Sequence, residues 1–258
     1  MKNKKALVCG SSKGIGAITA IELSKLGTSV VLLSRNENAL KKILNMLDIK
    51  QGQKHDYIIA DFDNPKLLSK KIKEYLKNNS PIEILINNSG GPKPGSIIDA
   101  KSKDFINAFN RHLICNHILV QELIPGMIKS NYGRIINITS TSVKEPIKGL
   151  GVSNTIRGAV ANWAKTLSFE LGEYGITVNN ILPGFTDTER LKEVFLNKSK
   201  MNNEDIESVI MDAYAQIPMG RFANPKETAK AICFLASEDA SYINGINLPV
   251  DGGRLSTL

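Results

Sequence analysis

The fold class this sequence predicts is α/β, a doubly wound parallel sheet with helices on both faces. Three observations predict it. Short apolar runs alternate with helix-period stretches over nearly all of the 258 residues. Parallel strands need such covered crossovers, because each return to the sheet passes through a helix. A glycine-rich string, Gly10-Ser11-Ser12-Lys13-Gly14-Ile15-Gly16, closes the first apolar run and opens the first helical stretch. The apolar runs are only a few residues long, as at Val30 to Leu33, so they read as buried strands and none can span a bilayer.

Taken in order, the strands are expected at Ala6–Cys9, Ser29–Leu33, Tyr57–Ala60, Glu83–Ile86, Arg134–Ile138, Thr177–Leu182 and Gly245–Val250. Leu40, Ile43, Leu44 and Leu47 recur at helical spacing, as do Ile156, Val160, Trp163, Leu167 and Leu171. Asn64-Pro65 and Asn224-Pro225 each place an N-cap before a proline at the first helical position, and Glu227 completes a capping box. Two long helical patterns run over about 102–129 and 154–173. With no repeat, low-complexity tract or linker, residues 1–258 form one expected domain.

Hydrophobic residues at 42% and charged residues at 22% exclude disorder and fibres. The net charge of +8 comes from 33 basic and 25 acidic residues. Those cations are scattered and do not interleave with aromatics, so no nucleic-acid partner is expected, while anionic ligands are favoured. Cys9, Cys115 and Cys233 are odd in number and widely separated. They suit core thiols in a reducing compartment and no metal site. The opening MKNKKALVCG is basic but lacks a long apolar core, so a cytoplasmic location is expected, with no membrane association.

In such a sheet the ligand lies at the carboxyl ends of the strands. Glycines in the 10–16 string allow a tight turn and close approach of a pyrophosphate, and the helix behind it offers free N–H groups. After the second strand, an acidic residue would read a free ribose 2′-hydroxyl. Here Ser34-Arg35 stand instead, with Lys13 in the loop. Two cations suit a 2′-phosphate, so NADP(H) is expected in preference to NAD(H). The bland alternative makes both cations solvated surface charges.

These features, together with Asn87-Asn88-Ser89-Gly90, Asn179-Asn180-Ile181-Leu182-Pro183-Gly184, Pro218-Met219-Gly220-Arg221-Phe222 and Val250-Asp251-Gly252-Gly253, resemble the short-chain dehydrogenase/reductase family almost end to end. The resemblance implies a single Rossmann-type domain of about seven parallel strands. It implies that Gly10, Ser12, Gly14, Ile15 and Gly16 hold the pyrophosphate. Asp61 falls where the family contacts the adenine, and Asn87 and Gly90 line the adenosine side. Pro183, Gly184, Thr186 and Thr188 would hold the nicotinamide carboxamide. Plainer readings stand beside these: a strand-ending cap for Asp61, a buried strand-tying amide for Asn87, and an ordinary turn for Pro183-Gly184.

The catalytic set departs from the family pattern of serine, tyrosine, lysine and asparagine. Ser140 falls on the serine position. The tyrosine, lysine and asparagine positions hold Ser153, Arg157 and His112, and no tyrosine lies between Tyr132 and Tyr174. Ser153 and Arg157 share a helix face at i, i+4. Serine is a far weaker acid than tyrosine, and arginine stays charged, so neither readily moves a proton. The reading is a rewired reductase of a small carbonyl or alcohol substrate. Ser140 and Ser153 would bind the substrate oxygen, Arg157 would fix the ribose and the local field, and His112 would supply the proton directly or through water. Plain alternatives are a strand-end hydroxyl for Ser140, a helix N-cap for Ser153, an interface charge for Arg157 and a structural hydrogen-bonder for His112. An NADP(H)-binding protein without turnover, or a lyase or isomerase in the same pocket, are the competing functions. By resemblance, residues 186–217 form a substrate lid. The resemblance also implies that the long helices pair in a homotetramer or dimer, with Trp163 and Phe169 read either as interface anchors or as core packing.

Overall fold

The computed structural model describes residues 1–257. Seven parallel strands form one sheet in the order β3-β2-β1-β4-β5-β6-β7. They are β1 Lys5–Cys9, β2 Ser29–Ser34, β3 Asp56–Ile59, β4 Ile84–Asn87, β5 Gly133–Ile138, β6 Ile176–Pro183 and β7 Asn247–Val250. The strand order reverses between β1 and β4, which opens the switch-point crevice at their carboxyl ends.

Side chains alternate along each strand, and both faces are apolar because both are covered. Leu7, Cys9, Val31, Leu33, Leu85, Ile135 and Val178 feed one core. Helices α3 (Pro65–Lys77), α5 (Cys115–Lys129) and α6 (Gly151–Leu171) cover it. Ala6, Val8, Val30, Leu32, Ile84, Ile86, Ile136 and Ile181 feed the other core. That face is covered by α1 (Gly14–Lys25), α2 (Glu37–Leu44) and α9 (Pro225–Leu235). The three cysteines are buried and free, and burial pushes Cys115 and Cys233 up to about 12, so their thiols are inert packing groups.

Asn64 caps α3 by accepting from the Leu67 N–H, and Asn224 with Glu227 forms the capping box of α9. The 102–129 pattern is not one uniform helix. Between α4 (Ser102–Phe109) and α5 lies a π-helical turn, Asn110–Ile114, that contains His112. Such an insertion re-aims side chains over one turn, and it is found most often at functional sites. Helix α6 begins at Gly151, so Ser153 is its third residue and is not the N-cap the sequence allowed. Its first residue packs closely: a Cβ on Gly151 would lie 2.5 Å from the Ile97 Cβ.

Helices α7 (Glu189–Asn202) and α8 (Ile206–Ala215) rise beyond β6. They hold a small core of their own, in which Phe185, Phe195 and Phe222 meet at ring separations of 5.5–5.9 Å and Tyr214 stacks on Phe222. Among the described residues, no helix is long and apolar enough to cross a membrane.

Candidate active site

The loop between β1 and α1 is built around its glycines. Gly10 and Gly14 have φ of +58° and +59°, which side-chain-bearing residues rarely adopt. A Cβ on Gly16 would lie 2.4 Å from the Gly10 carbonyl oxygen, so the helix can start here only without a side chain. Ser11 turns inward and its hydroxyl accepts from the Leu33 N–H at 2.9 Å. Asn88, whose role the sequence did not reveal, donates from its amide to the Gly10 carbonyl and pins the loop to β4. Helix α1 has no side-chain N-cap, so its first-turn N–H groups remain free and directed at the crevice. A Cβ on Gly90 would meet nothing, and one on Gly14 only the Thr188 methyl at 3.7 Å, so space is left above the loop. A glycine cradle, open space and free N–H groups together fit a dinucleotide pyrophosphate.

The two expected phosphate cations are not as bare as the sequence suggested. Lys13 reaches across the crevice to Glu189 at 3.0 Å, and Arg35 stands 3.7 Å from Asp61. Folding thus brings acids distant in sequence beside both cations, while Ser34-Arg35 still stand where an acidic residue would read a free 2′-hydroxyl. Arg35 and Lys13 nevertheless remain largely exposed. Asp61 also accepts from the Asp63 N–H, the strand-ending cap of the plain reading.

Asn87 is likewise committed elsewhere. Its amide donates to Asn137, Asn137 donates to Asn180, and Asn180 donates to Asn247, at 2.8, 2.9 and 2.8 Å. The four residues lie in register on β4, β5, β6 and β7. Their side chains run as an amide ladder across half the sheet. Buried amides of this kind are normally paired, and each amide N–H of the ladder finds the next carbonyl, leaving only the Asn87 Oδ1 without a partner. The strand-tying reading of Asn87 thus holds for its amide N–H, while its Oδ1 is buried without a partner, and strand tying can coexist with contact to the adenosine side.

At the other end, Pro183-Gly184 closes β6, and a Cβ on Gly184 would lie 2.8 Å from the Cα and Cβ of Asp251. Thr186 is buried and donates to the Gly184 carbonyl, while Thr188 caps α7 by accepting from the Leu191 N–H. Ser140 follows β5 and its hydroxyl oxygen accepts from the Ser142 N–H at 3.1 Å, leaving its proton free to donate. Ser153 has no hydrogen-bond partner and lies one turn before Arg157 on α6.

Arg157 reaches under the site and donates to the Ile138 carbonyl, the last of β5, at 2.8 Å. Its other terminal nitrogen faces Gly91, 3.9 Å from where a Cβ would be. Burial first, and Arg190 second, bring its pKa down to about 10, so it remains a cation at neutral pH. His112 stands nearby with its Nδ1 2.7 Å from the Ser89 hydroxyl and its Nε2 buried without a partner. Burial, then the Arg157 and Arg111 cations, hold its pKa well below 6.5. The ring therefore favours its neutral form, which weighs against an imidazolium as the proton source. Ser89 was visible in sequence only as a departure at one motif position, and nothing there marked it as a partner of His112.

The remaining histidines and the rim are structural. His55 accepts from the Val30 N–H and meets the Asp48 carbonyl. His117 packs edge-on to Trp163. Arg190 of α7 donates to the Pro92 carbonyl at 3.0 Å and ties α7 to the segment that follows β4. Among the described residues no cluster of potential metal ligands is found.

A parallel sheet with a glycine cradle at its switch point and paired hydroxyl and cationic groups beyond it defines a dinucleotide-dependent α/β protein. Comparison with known proteins narrows this. A family model described as enoyl-(acyl carrier protein) reductase matches residues 10–254. The chain belongs to the short-chain dehydrogenase/reductase family. It is 34% identical to 3-oxoacyl-(acyl-carrier-protein) reductase FabG of Rickettsia prowazekii, over 99% of this chain and 98% of that one. It is 28% identical to the NADPH-dependent reductase BacG of Bacillus subtilis, over the full length of both. Among solved structures, L-sorbose reductase of Gluconobacter frateurii, complexed with NADPH and L-sorbose, superimposes with a TM-score of 0.92. It is 28% identical, over 100% of this chain and 98% of that one.

Proposed function

We propose that the protein is an NADP(H)-dependent oxidoreductase that moves a hydride between the nicotinamide and a small carbonyl or alcohol substrate, with an altered proton-transfer apparatus. The observation that carries this reading is the open, glycine-walled cradle at the uncapped start of α1, facing the Ser140 and Arg157 end of the same crevice. NADPH appears in the description of the sorbose reductase structure and in the name of BacG, which supports the same cofactor here.

Gly10, Ser12, Gly14, Ile15 and Gly16 would hold the pyrophosphate, with Lys13 beside it once released from Glu189. Arg35 would take the 2′-phosphate in exchange for Asp61, because a dianionic phosphate competes well for an exposed guanidinium. Gly90, Pro183, Gly184, Thr186 and Thr188 would bound the ribose and carboxamide. When bound, the cofactor supplies the hydride. Ser140 and Ser153 donate hydrogen bonds to the substrate oxygen, and Arg157 provides the positive field that stabilises negative charge developing there. The neutral His112 and Ser89 form a buried polar pair beside Arg157, placed to accept or pass a proton through solvent rather than to donate one from an imidazolium.

A second reading is a binding protein that holds NADP(H) without turnover. It is favoured by the same neutral His112 and by the absence of any tyrosine at the catalytic position. A screen of aldehydes, ketones and alcohols by absorbance at the nicotinamide band separates the two. Oxidation of NADPH by some carbonyl compounds is expected. Saturable NADPH binding with no turnover across a broad panel would favour the second reading. We further propose a homo-oligomer, since Phe169 is 74% exposed on the outer face of α6.

A further inference from the structure

The chain has seven arginines. Five of them, Arg35, Arg111, Arg134, Arg190 and Arg221, have a carboxylate within 4.0 Å. Among the described residues, Arg157 and Arg254 have none. Both lie at the carboxyl end of the sheet, beside the β5–β6 side of the crevice. Arg157 is accounted for by its place under the reacting oxygen. Arg254 is not used by anything described above.

Arg254 follows β7 and the turn Asp251–Gly253. Asp251 shapes that turn, accepting from the Gly253 N–H at 3.1 Å and from the Leu255 N–H at 2.9 Å. Gly252 and Gly253 supply the positive φ angles of +68° and +84°. The same Asp251 lies against Gly184, so the turn is packed on the Pro183-Gly184 end of the crevice. From there the guanidinium extends over the face of Phe185, 5.0 Å from the ring centroid. One terminal nitrogen donates to the Thr141 hydroxyl at 3.3 Å, the other to the Gln216 side-chain carbonyl at 3.5 Å. Its Nε is buried with no partner. Among the described residues every contact is neutral and long, so a permanent cation with five donors is left with most of its bonding capacity unused. A half-buried charge without a counter-ion is costly, and a ligand anion removes that cost.

We propose that Arg254 binds a carboxylate of the substrate, so that the compound reduced is a short oxo acid rather than a neutral ketone or a sugar. The proposal rests on the reductase reading of the crevice. A single planar fork matches the two oxygens of a carboxylate, and the aromatic face beneath it holds the fork in one plane. Thr141, which Arg254 touches, directly follows Ser140, so the anion site and the Ser140 hydroxyl belong to the same turn after β5. The balanced step is oxo acid plus NADPH plus a proton, giving hydroxy acid plus NADP+. The hydride goes to the carbonyl carbon and the proton to its oxygen.

The test compares pyruvate, acetoacetate and levulinate with their methyl esters in an NADPH-oxidation assay, using the wild-type chain, Arg254→Gln and Arg254→Lys. NADPH binding and melting curves report on folding. At least one acid is expected to exceed its ester by roughly 30-fold in kcat/KM, the size of a charge-assisted hydrogen bond, mainly through KM. That preference is expected to collapse toward unity in Arg254→Gln and to be partly kept in Arg254→Lys. Turnover of esters and acids alike, or an unchanged preference in a folded Arg254→Gln, overturns the proposal and leaves the reductase reading standing. If nothing is turned over, calorimetry with the same three acids on the NADPH-loaded protein decides. Arg254-dependent binding keeps the anion site, no binding overturns it, and the reductase reading is decided separately by the broad carbonyl and alcohol panel.

Discussion

At the β1–α1 end of the crevice the chain spends its specificity on empty space. Gly10 and Gly16 are excluded from having side chains by contacts of 2.7 and 2.4 Å, and the helix start is left uncapped. At the β5–α6 end the reverse holds. Side chains fill the site, and Arg157, His112 and Ser89 are fixed by bonds of 2.7–2.8 Å. One end is shaped to receive a rigid, polyanionic group through its backbone, which leaves little freedom to vary. The other is built from side chains, which can be exchanged without moving the backbone. On the function proposed above, the nucleotide end keeps the family's pattern while Ser153, Arg157 and His112 are the proposed departures at the chemical end.

The largest way to break this comparison is to fill the empty end. Gly16→Val drives a branched side chain into the Gly10 carbonyl, and is expected to abolish NADPH binding and to lower stability by about 3–4 kcal/mol, read by fluorescence titration and urea unfolding. Next comes the ladder that joins the two ends. Asn137→Ala strands the amide of Asn87 and the carbonyl of Asn180, both buried, and should reduce stability by about 2–4 kcal/mol. At the chemical end, Arg157→Met is expected to lower kcat/KM by about 100-fold, with a smaller loss of NADPH affinity, and Arg157→Lys should recover part of it. A smaller effect sharpens the nucleotide end: Arg35→Ala should weaken NADPH by about 10-fold and NADH hardly at all, measured by competitive titration.

The smallest effect concerns pH. Because His112 is held neutral in the folded chain, its pKa there lies below the unfolded value of 6.5. The unfolded chain then binds more protons, so this contribution to stability is full above pH 6.5 and is lost as pH falls through 6.5 toward the depressed value. Melting temperature should fall over that window by less in His112→Asn than in the wild type. Turnover should show no inflection near 6.5 belonging to this ring.

Seven strands were legible to within about two residues, because continuous apolar runs between glycine and asparagine punctuation leave few alternatives in a parallel sheet. The glycine loop was legible for the same local reason. What sequence did not disclose depends on distance in the chain. Lys13 meets Glu189, Arg35 meets Asp61, and Ser89 meets His112 only after folding. The π-helical turn that carries His112 has no sequence signal of its own, since its periodicity continues from α4 into α5. The ladder of Asn87, Asn137, Asn180 and Asn247 was spelled out as asparagines near strand ends, yet it required the strand register to be seen as one network.

The claim on which the rest depends is that the uncapped start of α1 and its glycines form a dock for a phosphorylated dinucleotide. Isothermal titration of the wild-type chain with NADPH, and separately with NADH, tests it most directly. One saturable NADPH site per chain, at least about 10-fold tighter than for NADH, is the predicted result. Heat signals indistinguishable from dilution for both nucleotides, on protein whose melting curve shows it folded, would contradict it.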